Sequence, residues 1–432
     1  ISHRKLARKS GCRCSKACCK RVESLQNPAR SSATEYSSAT NRIVSIVVRI
    51  LLVSSGSGSR GGGEIFLDYL GKELTERGHD VVVWIPRHPR MDELAEKCAR
   101  FARVMRGEYL NTYDYPARSL STCFNWGVSR RLAREWRAFK PDVIHINKQN
   151  LEDGLDLLRA ARLCAVPSVC TIHLTQTASY LRARAAWLRD WIARWQLGRY
   201  QGVLVTVQER RRETLCHFLA NGARTATIFN GVPRVDAGAV RSMRDAKRRE
   251  LGLSDSELLV LGVGRLVEQK RPFRFIRLAK DLHMSVPGTK FLWVGDGKLA
   301  KQWQKAIVDE QLDGIVSCAG WQAEVLPYLL AGDLLLHVAE FEGLPFVMIE
   351  AMAAGLPCAV TRELSSEIPF LNEGNVLLVD DVEDLSNKLR NRRILARVAV
   401  GGQRLVDDKL SVNKMAESYE QLYTAVTQGD QC

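Results

Sequence analysis

At 432 residues the chain is too long for one compact core, because single cores stop growing near ~250 to 300 residues, and two domains of ordinary size are expected. With 46% hydrophobic and 26% charged residues it is globular in composition, and no uncharged apolar run approaches the ~18 residues of a membrane span. The net charge of +15 is concentrated in residues 1–47, where ten Lys or Arg face only Glu23 and Glu35; the rest is modestly basic and carries no nucleic-acid-binding motif, so no nucleic-acid partner is implied.

Residues 1–47 run from "RKSGCRCSKACCKR" into "SSATEYSSATN" without a hydrophobic period and read as a disordered basic Cys/Ser-rich tail that the folded protein does not need. The basic stretch is not followed by the apolar segment of a signal peptide. Cys12, Cys14, Cys18 and Cys19 lack the paired spacing of a zinc site, and the other eight cysteines are scattered singly, which favours reduced thiols in a cytosol over a disulfide framework.

From Val48 short β-branched runs alternate with amphipathic stretches: "VRILLVSS", "DVVVWI", "DVIHIN", "SVCTIH" and "GVLVTV". The chain loosens over Gly231 to Asp245, and the same grammar restarts with "ELLVLGVG", "KFLWVG", "DLLLHVA", "PCAV" and "NVLLV". Such alternation predicts an α/β fold of two doubly wound Rossmann-like parallel-sheet domains facing a cleft, residues 48–232 and 233–432, with a terminal helix returning to the first domain.

Ligands of open parallel sheets sit beyond the carboxyl ends of the strands, so candidate residues are sought there. After the strand ending at Ser54 comes a Gly-rich loop, then a helix beginning close to Gly62. Gly61 and Gly62 would let a phosphate or an acceptor approach free backbone amides. In "GVGRLVEQKRP", Arg265 lies just past a strand and Lys270 at the start of the next helix, two cations able to hold a diphosphate. In "EFEGLPFVMIEAMAAG", the Gly343–Leu344–Pro345 turn predicts a helix with its first position near Pro345, Glu342 in the loop and Glu350 in the second turn. The carboxylates can accept from hydroxyls at two ends of a ligand while the amides between them take an anion, which describes a nucleotide sugar. His173, at a strand end, reads on its own equally well as a satisfied core residue.

Residues 257–380 resemble the donor domain of the GT-B retaining glycosyltransferases of family four, through "GVGRLVEQK", "VGDGKL", "AGWQAEVLPYLLAGDLLLHVAEFEGLPFVMIEAMAAGLP" and "NVLLV". The first half is similar more thinly, through "GGGE", "ERGHDVVV", "PDVIHIN", "CTIH" and "IFNGVP". The resemblance implies that Arg265 and Lys270 bind the donor diphosphate, Glu350 the ribose, and Glu342 with the amides around Leu344 and Pro345 the donor sugar. It further implies that His173 approaches the transferred sugar and that Gly61 and Gly62 lie near phosphate and acceptor. Val338–Ala339 before the first Glu, and "TRELSSEIP" around Glu367, depart from the family pattern close to the sugar, so they bear on sugar identity.

The reaction so implied moves a sugar from a nucleoside diphosphate to an acceptor hydroxyl with retention, in cell-envelope polysaccharide, lipopolysaccharide or glycolipid biosynthesis. No cofactor is implied beyond the nucleotide-sugar co-substrate, and without a D-x-D no metal. The rival readings are a nucleotide-sugar epimerase or hydrolase on the same architecture, and a subunit that binds a nucleotide sugar or glycan without turnover. Partners are a nucleotide-sugar donor and a glycan or lipid-linked acceptor, in the cytoplasm or peripherally on the inner face of the plasma membrane. The last point rests on "YLRARAAWLRDWIARWQLGRY": Trp187, Trp191 and Trp195 at four-residue spacing are more often a core stripe, but the arginines around them also suit peripheral contact with anionic lipid.

Overall fold

The computed structural model describes residues 47–56, 61–115, 118–220, 222–379 and 381–429. The tail read over residues 1–47 thus lies outside them apart from Val47.

Seven strands form the first sheet: β1 Arg49–Ser54, β2 Asp80–Pro86, β3 Arg103–Gly107, β4 Val143–Lys148, β5 Ser168–Ile172, β6 Val203–Thr206 and β7 Thr225–Thr227. Six form the second: β8 Leu258–Val263, β9 Thr289–Val294, β10 Val316–Gly320, β11 Leu334–His337, β12 Cys358–Thr361 and β13 Leu377–Val379. The orders are β3-β2-β1-β4-β5-β6-β7 and β10-β9-β8-β11-β12-β13, and every adjacent pair is parallel. Each sheet therefore reverses its winding beside its own first strand, and the two halves repeat one topology. Central strands such as Ile50–Val53 and Val260–Leu261 are fully buried because helices cover both faces, hence their continuous apolar runs. The strands not anticipated, β3, β7 and β10, all lie at sheet edges. Their half-exposed, polar sequences (RVMRG, TAT, VSCAG) give no such run.

The expected loosening over Gly231–Asp245 is only half right. The loop ends at Asp236, whose carboxylate accepts from the Gly238 amide at 3.0 Å and caps a helix over Ala237–Glu250. Its apolar content is low because it is anchored by charge. Arg244 and Arg248 reach the Asp333 carboxylate at 2.7 and 3.1 Å and also bond the carbonyls of Leu330, Ala331 and Gly332.

The chain crosses between the halves twice at one place, where Val232 and residues 410–412 exchange backbone hydrogen bonds of 3.0 and 2.9 Å. The helix Val412–Thr427 then lies along Gly62–Glu76. Two buried tyrosines fasten it to the first sheet: Tyr423 Oη is 2.6 Å from His145 Nδ1, Tyr419 Oη is 2.7 Å from Thr171 Oγ1, and His145 Nε2 is 2.8 Å from the same hydroxyl. Burial pushes the His145 pKa down to about 3, so this network is held by a neutral imidazole.

The tryptophan stripe does not face the core. On the helix Ala186–Gly198, Trp187, Trp191 and Trp195 are 75, 58 and 38% exposed, while Ile192, Ala193 and Leu197 make the buried face. A single four-residue spacing places residues on one side of a helix but does not say which side is inside. Among the described residues no helix is long and apolar enough to cross a membrane.

Candidate active site

Between the carboxyl ends of the two sheets lies a cleft of about 1300 Å³. Gly61, Gly62, His173, Arg265, Lys270, Glu342, Leu344, Pro345 and Glu350 all lie on its wall, although they come from loops almost 300 residues apart in sequence. The volume exceeds the ~300 to 1,000 Å³ of a drug-sized ligand pocket, as a site for two substrates would.

The loop after β11 carries both glutamates. Its helix runs over Phe346–Ala353, with Pro345 as the N-cap, one residue outside the expected first helical position. Pro345 offers no side-chain acceptor; its carbonyl takes the Met348 and Ile349 amides at 3.2 and 3.3 Å, while those of Phe346 and Val347, at the very start of the helix, are placed to receive an anion. Glu342 is buried, and its Oε1 accepts from Lys270 Nζ. His337 Nε2, at the end of β11, lies 3.3 Å from the same oxygen. Burial alone would raise the Glu342 pKa. The Lys270 charge and His337 outweigh it and hold the carboxyl at about 2, so Glu342 is an anion at any working pH.

Glu350 behaves differently. Its Oε1 accepts from Tyr69 Oη at 2.7 Å, across from the helix Gly62–Glu76, and burial raises its pKa against that hydrogen bond. The tyrosine ring packs edge-on against Phe346 at 5.8 Å, so one residue of the first half supports both ends of this turn.

The donor-side loop is held against the first half through its backbone. Arg211 Nε donates to the Glu342 carbonyl at 2.9 Å, Gln208 Nε2 to that of Gly343 at 2.6 Å, and Asn230 Nδ2 to that of Leu344 at 2.7 Å. Arg211 also pairs with Glu367. Gly343 sits so close to β5 that a Cβ there would lie 2.2 Å from the His173 carbonyl oxygen, so only glycine fits.

His173 is oriented by a relay. Asn147 Nδ2 donates to the Gly63 carbonyl at 2.8 Å, which turns Asn147 Oδ1 toward His173 Nε2, also at 2.8 Å. Nε2 therefore carries the proton. Burial pulls the pKa down to about 4, so the imidazole is neutral. Arg265, just past β8, is exposed on the cleft wall, and Lys270 closes a short 3-10 turn, Glu268–Lys270, that precedes the helix Pro272–Ser285. Facing Arg265 is Glu64, in the first turn after the Gly-rich loop. Both of its carboxyl oxygens are sealed from solvent without a hydrogen-bond partner, and burial raises its pKa to about 7 against the Arg265 charge. Tyr69, Asn147, Gln208, Arg211, Asn230 and His337 were not singled out from the sequence. They are ordinary polar residues on helices, strands and adjoining loops; Asn147 and His337 act within their own halves, whereas Tyr69, Gln208, Arg211 and Asn230 gain a task only where the two halves meet.

Residues 60–234 match the family description "Glycosyltransferase Family 4" and residues 243–391 match "Glycosyl transferases group 1". The chain is 26% identical to the UDP-Gal:alpha-D-GlcNAc-diphosphoundecaprenol alpha-1,3-galactosyltransferase of Escherichia coli, over 58% of this chain and 66% of that protein. It is 30% identical to the lipopolysaccharide core biosynthesis glycosyltransferase LpsE of Rhizobium meliloti (strain 1021), over 46% of this chain and 57% of that protein. The matches thus span less than two thirds of the length of these two relatives. The crystal structure of Anabaena Alr3699/HepE in complex with UDP and glucose superposes with a TM-score of 0.69 at 17% identity, over 88% of this chain and 100% of that one, a likeness of fold. The two halves match in chain order, on the expected pair of facing Rossmann-like domains, and the chain belongs to the GT-B glycosyltransferases of family four.

Proposed function

We propose that this protein is a retaining glycosyltransferase that moves a sugar from a UDP-sugar to a hydroxyl of a glycan or lipid-linked acceptor in cell-envelope biosynthesis. The observation that carries this reading is the single cleft wall on which two cations, a helix N-terminus, two carboxyls in unlike environments and a neutral histidine converge. Arg265, Lys270 and the first-turn amides of Phe346–Ala353 take the diphosphate and stabilise it as it leaves. Glu350 accepts from the ribose hydroxyls and Glu342 from the sugar. The neutral His173 presents a ring fixed by Asn147 toward the sugar, and cannot act as a cationic acid near neutrality. Glu342 is held among the cations Lys270 and Arg211 and beside His337 rather than poised as a free nucleophile, which favours deprotonation of the acceptor by the leaving phosphate on the same face; no metal is given a role in this account. Catalysis then rests on positioning and charge. A panel of UDP-sugars screened for protection against thermal unfolding, followed by transfer to lipid-linked and oligosaccharide acceptors, tests it: protection without transfer to any acceptor would mark a binding subunit instead.

Peripheral membrane contact belongs to the same proposal. Tyr180 and Leu181, exposed at 56 and 45%, lie on the cleft wall just before the helix that exposes Trp187, Trp191 and Trp195. The stretch 178–200 holds five arginines and one acid, Asp190, which caps the Ala178 and Ser179 amides. A basic aromatic helix beside the acceptor side of the cleft suits an anionic bilayer carrying a lipid-linked acceptor. Vesicles containing anionic lipid should sediment the protein at low salt, and Trp187→Ala with Trp191→Ala should abolish it; failure of the wild type to sediment refutes this part.

A further inference from the structure

Lys270 has two claims on it. Its ammonium bonds Glu342, and under the function proposed above, on which this inference rests, the same ammonium serves the donor diphosphate. A diphosphate is the stronger attractor, carrying two charges, and Lys is a flexible point charge able to turn toward it. Glu342, 6% exposed, then keeps only the neutral hydroxyls of the sugar, and a buried carboxylate without a countercharge is strongly unfavourable. His337 is the neighbour that can replace the lysine. It is 3% exposed, its Nε2 lies 3.3 Å from Glu342 Oε1, and that nitrogen has no hydrogen-bond partner. Strand β11 fixes it there, its backbone in register with Val360 of β12.

We propose that His337 is a positioning residue that takes over Glu342 when the donor draws Lys270 away, becoming an imidazolium, so that donor binding takes up a proton. The charged groups around the pair are Lys270, Arg211 on the Glu342 carbonyl, and Glu367 on Arg211. Arg211 opposes the new charge, but its own guanidinium is already shared between the Glu342 carbonyl and the Glu367 carboxylate. The net change on protonation is a buried carboxylate paired again within hydrogen-bond reach. The charged form is particular to donor-bound protein: with Lys270 in place, its ammonium already supplies the countercharge of Glu342.

Calorimetry of UDP-glucose binding at pH 7.5, in buffers of unlike ionisation enthalpy, reads the proton directly, because the esterified diphosphate does not itself titrate there. The wild type should take up a substantial fraction of one proton, and its dissociation constant should rise by up to about tenfold per pH unit above neutrality, as linkage of one proton requires. His337→Asn should bind without proton uptake and with a flat pH dependence. Equal uptake in both proteins, or none in the wild type, overturns the inference while leaving the glycosyltransferase reading intact. Failure of UDP-glucose and every other sugar nucleotide to bind the wild type overturns both. Should His337→Asn not fold, histidine ring nitrogen resonances of the wild type decide: one imidazole must become imidazolium when donor is added at pH 7.5, and no change refutes the proposal.

Discussion

A single methyl group at Gly343 is expected to separate the reaction from the fold. The Cβ of Gly343→Ala would sit 2.2 Å from the His173 carbonyl oxygen, where a carbon–oxygen contact needs about 3.3 Å, so the two chains must part by roughly 1 Å. The loop cannot slip sideways to make room, because Arg211, Gln208 and Asn230 hold the carbonyls of Glu342, Gly343 and Leu344. Overpacking of this kind costs about 1 to 3 kcal/mol, a fall of several degrees in Tm for domains of this size. The catalytic effect is larger, since the displaced residues are Glu342 on one side and His173 on the other, and misplacement by about 1 Å can cost about 100-fold in rate. UDP affinity should change much less, because Arg265, Lys270 and Glu350 lie outside the contact. Transfer rates measured beside UDP calorimetry and thermal unfolding give all three numbers. Transfer within about twofold of wild type at an unchanged Tm would refute the reasoning, for it would mean that the halves do not press together here.

Further substitutions separate the carboxyls. Glu350→Ala should weaken UDP and UDP-sugar alike, by the ~1 to 3 kcal/mol of a stranded hydrogen-bond partner, whereas Glu342→Ala should reduce transfer by a similar increment and leave UDP affinity undiminished; equal loss of UDP affinity in both would show the segment misassigned. Tyr69→Phe removes the bond to Glu350 and should lower stability by about 1 to 2 kcal/mol in urea unfolding, with an unchanged slope. Glu64, raised from 4.5 to about 7 in the fold, is most favourable below pH 4.5 and becomes a burden as the pH rises through 7. Glu64→Gln should therefore gain stability relative to wild type between pH 5 and pH 8, and a difference that does not move with pH would contradict its buried, unpartnered state.

The strands that fill the two cores, the helix beginning at Gly62 and the helix carrying Glu350 were legible in the sequence, because their determinants are local. A run such as ILLV can only be covered on both faces, and a Gly-Leu-Pro turn can hardly do other than start a helix. The grouping of Arg265, Lys270, Glu342 and Glu350 was legible too, since all four follow strands of one parallel sheet, whose carboxyl ends share an edge. The edge strands β3, β7 and β10 were not, for they are half wet and their pairing comes from a neighbour rather than from their own composition. Nor was the outward turn of Trp187, Trp191 and Trp195: the period of a helix fixes a stripe, and only the packing of Ile192, Ala193 and Leu197 decides which stripe is buried. What the tertiary structure alone decided is the state of the site. That Glu342 is an anion held by Lys270 beside His337, that Glu350 leans on Tyr69, and that His173 is neutral with its proton on Nε2 all depend on burial and on partners elsewhere in the chain. The contact of Glu350 with Tyr69 exists only once the two independently wound sheets have closed on each other, and the others only once separate strands and loops of one sheet have come together.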